Sequence, residues 1–115
     1  MKTFLAIYTG TAEKLEQFKQ LPEEERSRRE TAGVKAWMEW GARHAAAIVD
    51  DGAPLGKTKR ITSAGIADIR NNIAGYVLVQ AESHEAAARL FLEHPHFTIF
   101  PGDAVEIMEC LPMPV

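Results

Sequence analysis

The apolar positions fall into stretches of different period, and the period names the element. Thr3–Tyr8 (TFLAIY) is a short aromatic and apolar run that reads as a strand closed by Gly10. Thr11 can cap a short helix over Ala12–Gln20 by accepting a backbone N–H bond from its first turn. Pro22 suits the first position of a second helix, and Glu23, Glu24 and Glu25 complement the positive end of its dipole. The pattern carries that helix to about Val49, with a break near Thr31–Gly33. At about 100° per residue, Val34, Trp37, Gly41, His44, Ala45 and Ile48 share one face and Trp40 borders it. Lys35, Glu39, Arg43, Ala46 and Asp50 fall opposite.

Asp51-Gly52-Ala53-Pro54 is a turn signal. Leu55–Thr62 alternates weakly and carries Lys57, Lys59 and Arg60, charges that suit an edge strand. Ser63–Asn72 reads as a polar loop or the far end of a hairpin. Ile73–Ala81 (IAGYVLVQA) is the strongest strand. Ser83 can cap a helix over His84–Glu93, and Pro95 sets its end by biasing His94 away from helical geometry. A loop over Phe97–Gly102 leads to a last strand, Ala104–Leu111, and an extended tail over 112–115.

The order β-α-β-β-α-β is that of an α+β ferredoxin-like sandwich. Its strands are apolar on both faces. Leu5 and Ile7 oppose Phe4, Ala6 and Tyr8; Tyr76 and Leu78 oppose Val77, Val79 and Ala81; Met108 and Cys110 oppose Val105 and Ile107. An antiparallel sheet with one wet face alternates apolar with polar. Two helices cover one face only, so the other is expected to meet a second copy, giving a homodimer packed sheet to sheet.

At 115 residues the chain is read as one domain, 1–115. Hydrophobic residues at 46% and charged residues at 25% exclude a disordered, collagen-like or coiled-coil chain. Lys+Arg 13 against Asp+Glu 16, a net charge of −3, argues against a nucleic-acid binder, which needs a basic face. No apolar run approaches the roughly 18 residues of a membrane span. The single Cys110 leaves no internal disulfide, which fits a reducing cytoplasm.

Several segments follow one another along the chain: the opening TFLAIY; Trp37-x-x-Trp40, then Ile48-Val49-Asp50-Asp51-Gly52-Ala53-Pro54-Leu55-Gly56; Gly75-Tyr76-Val77-Leu78-Val79-Gln80-Ala81-Glu82-Ser83; Glu85-Ala86-Ala87; and His94-Pro95-His96-Phe97 before Val105-Glu106-Ile107. In order and spacing, over nearly the whole chain, they resemble the YCII-related (YCII/DGPF) family of the dimeric α+β barrels. The resemblance implies a ferredoxin-like fold and a dimer. Members at the YCII end carry a His in the first helix and an Asp before a Pro after the second, a pair proposed as catalytic. Here the first position falls near Lys35–Trp37, where no His stands, and the second reads His94-Pro95. The Asp-Gly-Pro-Phe motif ahead of the third strand is absent, the region reading Ala64-Gly65-Ile66-Ala67-Asp68. That acid/base pair is therefore not carried over, and the resemblance is to the branch with Trp37, Trp40 and His96.

Among residues that carry chemistry, His94-Pro95-His96 is the sharpest feature. In an extended segment, residues two apart project to one side, so two imidazoles could act as acid and base near neutral pH or hold a metal. No third ligand is evident, and neither a metal nor a cofactor is implied. The bland alternative puts His94 at a helix C-terminus and makes His96 a loop cap. His44 on the apolar stripe is more often a hydrogen-bonded core residue than a catalyst. Trp37 reads as packing; Trp40, at the stripe's border, reads equally as packing or as a pocket wall. Asp50 and Asp51 sit unfavourably at a helix C-terminus, hinting at a basic partner such as Arg60 or Lys57, against ordinary Asp-Gly turn chemistry. Glu23–Arg29 reads as a solvated face with pairs Glu24–Arg28 and Glu25–Arg29.

The expectation is a small-molecule pocket between sheet and helices. His94 and His96 are the candidate acid and base; Trp37, Trp40, His44 and Tyr76 are the candidate substrate contacts. The alternatives are a non-catalytic dimeric module that binds a ligand or a protein, and a cofactor-free oxygenase or haem-handling protein.

Overall fold

The computed structural model describes residues 1–114. Its elements are β1 (Lys2–Gly10), α1 (Ala12–Lys19), α2 (Glu23–Arg43), β2 (Ile48–Pro54), β3 (Thr58–Thr62), β4 (Gly65–Ile69), β5 (Ile73–Ala81), α3 (His84–Arg89), α4 (Pro95–Thr98) and β6 (Gly102–Glu109). Four strands form one antiparallel sheet in the order β2-β5-β1-β6. Taken without β3 and β4, this is the strand order of the ferredoxin-like sandwich, and the α+β class read from the sequence holds. The caps act as their residue types dictate. The Thr11 hydroxyl accepts the Lys14 N–H at 3.2 Å, and the Ser83 hydroxyl accepts the Ala86 N–H at 3.1 Å. Of the tail expected over 112–115, Val115 lies outside the described residues; 112–114 have no regular structure.

The second sheet strand is Ile48–Pro54, which the pattern assigned to a helix end and a turn. Ala45–Ala47 are strong helix formers, and their propensity argues for continuing α2. The edge of β5 overrides it. The Gln80 N–H donates to the Ala47 carbonyl at 2.8 Å, and the Gln80 side-chain amide donates to the Ala46 carbonyl at 3.2 Å. β2 then pairs with β5 through two register shifts, Ile48 opposite Val79, Asp50 opposite Leu78 and Ala53 opposite Tyr76. Such an irregular strand has no alternation to read. Gly52 sits at φ 67°, and a side chain there would collide with the Tyr76 carbonyl.

The segment expected as the edge strand is part of a separate ribbon. Among the described residues Thr58–Thr62 pairs only with Gly65–Ile69, with Ile61 opposite Ile66. Both isoleucines are 72% exposed. The hairpin stands off the body, and the Cα radius of gyration of 16.0 Å exceeds the roughly 13 Å expected at this length.

α2 is continuous through Gly33, without the expected break, because Gly33 gives the Phe100 ring room to pack against the helix. Its inward stripe is Gly33, Trp37, Trp40 and His44, rotated from the expected one. Trp40 is buried, whereas Val34 is 54% exposed. The core is Phe4, Ala6 and Tyr8 of β1 with Val77, Val79 and Ala81 of β5, closed by Trp40, Ala87 and Phe91. The opposite face of the sheet carries Leu5, Ile7, Tyr76, Leu78 and Met108; among the described residues the helical side chains of the core, Trp40, Ala87 and Phe91, lie on the other side with Phe4, Ala6 and Tyr8. On α2, Arg26 reaches Glu30 at 3.9 Å, and Arg29 donates to the Ile99 carbonyl at 2.8 Å while lying over Phe18. The two expected Glu–Arg pairs do not form.

Candidate functional site

β1 ends on the core face with Tyr8, opposite Gly75 on β5. Around this tyrosine gather rings from three other segments: Trp37 of α2 at 4.8 Å between centroids, His94 at 5.2 Å, His96 of α4 at 5.1 Å and Phe91 at 6.3 Å. The chain reverses just before His94 through Glu93, which takes the left-handed conformation at φ 58°. That turn drops His94 into the core, where it is fully buried, and starts the helical turn α4.

The two histidines do not project side by side as an extended segment would place them, because Pro95–Thr98 is helical. Nδ1 of His94 accepts the backbone N–H of His96 at 2.9 Å, capping the turn. Nε2 of His94 stands 3.5 Å from the Tyr8 hydroxyl. Both ring nitrogens are thus engaged inside the protein. Burial, reinforced by His96 and His44, pulls the His94 pKa down to about 3, so the ring is neutral. In His96, Nε2–H donates to the Thr9 carbonyl at 2.7 Å, which leaves the lone pair on Nδ1. Burial lowers its pKa, opposed by hydrogen bonds to backbone and by Asp103. Gly102 makes room for this ring; a methyl group there would collide with both the imidazole and the His96 carbonyl.

A cavity of about 460 Å³ opens beside Tyr8, bounded by Trp37, Phe100 and His96, by Asp51–Pro54 of β2 and by Ala74–Tyr76 of β5. Val34 and Met38, 54% and 71% exposed, stand at its mouth. A neighbouring hollow of about 410 Å³ shares Tyr8, Trp37, Met38 and Asp51 and reaches Trp40. Of the residues singled out from the sequence, His96, Trp37 and Tyr76 border the larger cavity. The strand position of Tyr76 puts its side chain on the open sheet face, so it meets the cavity from the edge. His94 lies behind Tyr8 and does not line it. Trp40 is core, its indole N–H donating to the Leu90 carbonyl at 2.8 Å. His44 caps the C-terminus of α2 and packs on Trp40 at 5.2 Å, outside the cavity, its pKa lowered by burial and by Arg43.

Asp50 follows turn chemistry, its carboxylate accepting the Gly52 N–H at 2.8 Å; among the described residues neither Asp50 nor Asp51 pairs with Lys57 or Arg60. No three His, Cys, Asp or Glu side chains gather as a metal site among the described residues. Sequence reasoning passed over Tyr8 and Phe100. The signal for Tyr8 was present: a polar-tipped aromatic as the last residue in the inward row Phe4, Ala6, Tyr8.

Among solved structures that are similar, one matches over nearly the whole molecule. It is TftG, the 5-chloro-2-hydroxyhydroquinone dehydrochlorinase from Burkholderia phenoliruptrix AC1100, in complex with 2,5-dihydroxybenzoquinone. The likeness covers 92% of this chain and 90% of that one, with a TM-score of 0.55 and 14% sequence identity. That likeness shows the fold. No family model matches the chain, and no curated protein matches it significantly. Among the described residues no helix is long and apolar enough to cross a membrane.

Proposed function

We propose that this protein binds a small, flat organic molecule in the cavity between α2 and the sheet, with His96 as its acid/base group. The observation that carries the reading is the 460 Å³ cavity itself. It is walled by Trp37, Phe100 and Tyr8, with a neutral imidazole whose second nitrogen is fixed on a backbone carbonyl. That is the composition of a ligand site, apolar walls with a few placed polar groups. The fold-level likeness to TftG, a protein that acts on a substituted hydroquinone, points the same way as an analogy. The YCII-related affiliation rests on the order of the segments quoted above, and the lone Cys110 suits a cytoplasmic setting.

A thermal-shift screen of aromatic phenols, lactones and quinones tests the reading. A ligand at about 100 times its Kd adds roughly 2.7 kcal/mol to stability. Hits should raise the wild-type Tm and lose most of that response in His96→Ala. An unchanged response in the variant removes His96 from the site.

A second reading, binding without catalysis, is favoured by His94. With both nitrogens engaged and its pKa near 3, it moves no proton at neutral pH, so any catalysis falls to His96 alone.

The uncovered sheet face is read, as from the sequence, as the seat of a second copy. Leu5 lies at its centre, between Leu78 and Met108 in the pairing register. Sedimentation at micromolar concentration should give twice the chain mass, and Leu5→Lys should give a monomer that keeps its helices. A wild-type monomer would end the dimer proposal.

A further inference from the structure

The geometry points to Tyr8 as the residue that recognises the ligand, donating its phenolic hydrogen to a neutral carbonyl oxygen on a flat ring, with His94 as the positioning residue that sets the direction of that bond. This rests on the proposed cavity and adds to it the class of molecule accepted.

The direction follows from counting hydrogens. A neutral imidazole has one N–H. Nδ1 of His94 accepts the His96 N–H, so the hydrogen is on Nε2. Nε2–H must then donate to the Tyr8 oxygen, and the tyrosine can only accept from it. The phenolic hydrogen is left over. No acceptor for it exists among the described residues, although Tyr8 is only 4% exposed. The Tyr8 oxygen has its partner in His94, as every buried side-chain polar atom among the described residues has one; only its hydrogen is left over, and because Tyr8 lines the cavity a ligand oxygen there would take it up. Burial raises the phenol pKa above its ordinary value, which keeps the hydrogen in place as a donor.

The rest of the wall selects the charge of that oxygen. Among the described residues no Lys or Arg lines the cavity, and the one formally charged lining side chain is the Asp51 carboxylate. His96 is neutral. An anionic ligand would meet no cation and one like charge. A ketone, lactone or quinone oxygen meets a donor at no such penalty. Trp37 and Phe100, tilted 62° to each other, supply the apolar surface for the ring.

Coumarin, a flat lactone, serves as the probe, with naphthalene and 2-naphthoate as partners of similar size lacking the oxygen or carrying charge. An NMR titration following the Trp37 indole and nearby amides gives Kd for each. Isotope-edited infrared spectroscopy follows the carbonyl stretch of bound coumarin. We expect coumarin to bind more tightly than either partner, with its carbonyl band moved to lower wavenumber. Tyr8→Phe should weaken coumarin roughly three- to tenfold, leave naphthalene unchanged and return the band. His94→Asn should retain binding with a smaller, broader band shift. The wild-type band carries the test even where a variant does not fold. If coumarin binds wild type and Tyr8→Phe alike with an unmoved band, the Tyr8 assignment falls and the cavity stands. If 2-naphthoate binds more tightly, the neutral-oxygen assignment falls. If no probe moves the Trp37 signals, the cavity reading and this one fall together.

Discussion

Trp40→Ala removes about 3–5 kcal/mol of stability, a large part of what a domain of this kind possesses. The indole is 3% exposed and packs on Phe91 at 5.0 Å, His94 at 4.6 Å and His44 at 5.2 Å. Truncation leaves a void among them and takes the donor from the Leu90 carbonyl, which holds the end of α3 against α2. Urea denaturation followed by circular dichroism measures the loss. Trp40→Phe separates its two parts: the ring's packing is mostly retained, and the lost hydrogen bond costs about 1–3 kcal/mol. Trp37→Ala, at a half-buried cavity wall, should cost less than Trp40→Ala. Equal losses for the two tryptophans would contradict the division between core and site.

Acidification from pH 7 to 5 weakens the fold by about 2 kcal/mol through His94 alone, since each pH unit below the unfolded pKa is worth roughly 1.4 kcal/mol per histidine. The folded pKa is about 3, against an ordinary value of 6.5. Between those values the unfolded chain binds a proton that the folded protein refuses. Stability from this group is therefore complete above pH 6.5 and is lost as pH falls toward 3. His96 and His44, also lowered, act in the same direction. Thermal melts across pH 7 to 5 should show Tm falling by roughly 10 °C. His94→Asn keeps an acceptor for the His96 N–H and has nothing to titrate, so its melts should depend less on pH. An equal slope in the variant would show that His94 is not the group responsible.

The two tryptophans show where local pattern stops being informative. A wheel separates residues by angle, and it puts Trp37 on the apolar stripe and Trp40 at its border. Nothing in that stripe says which ring meets the core and which meets a cavity. The answer depends on Phe91 and Leu90 arriving beneath Trp40, while Phe100 and His96 arrive beside Trp37. Both pairs lie some fifty or more positions away along the chain. The histidines behave likewise. His94-Pro95-His96 was visible as a feature, but its geometry was set by the reversal at Glu93, which an acidic residue does not advertise. β2 was hidden for a further reason. Its pairing is broken by two register shifts, so its residues never alternate.

The chain's own pattern was enough for the sheet's three regular strands, the capped helices, the two-sided apolar character of the sheet and the ferredoxin-like order. Each is a local or periodic property, encoded in neighbours two to four positions apart. Which ring nitrogens are engaged, which tryptophan is core, where the second sheet strand begins and which rings gather around Tyr8 were decided only by tertiary structure. Each of those depends on which distant donor, acceptor or ring arrives opposite, and spacing along one segment carries no record of that meeting.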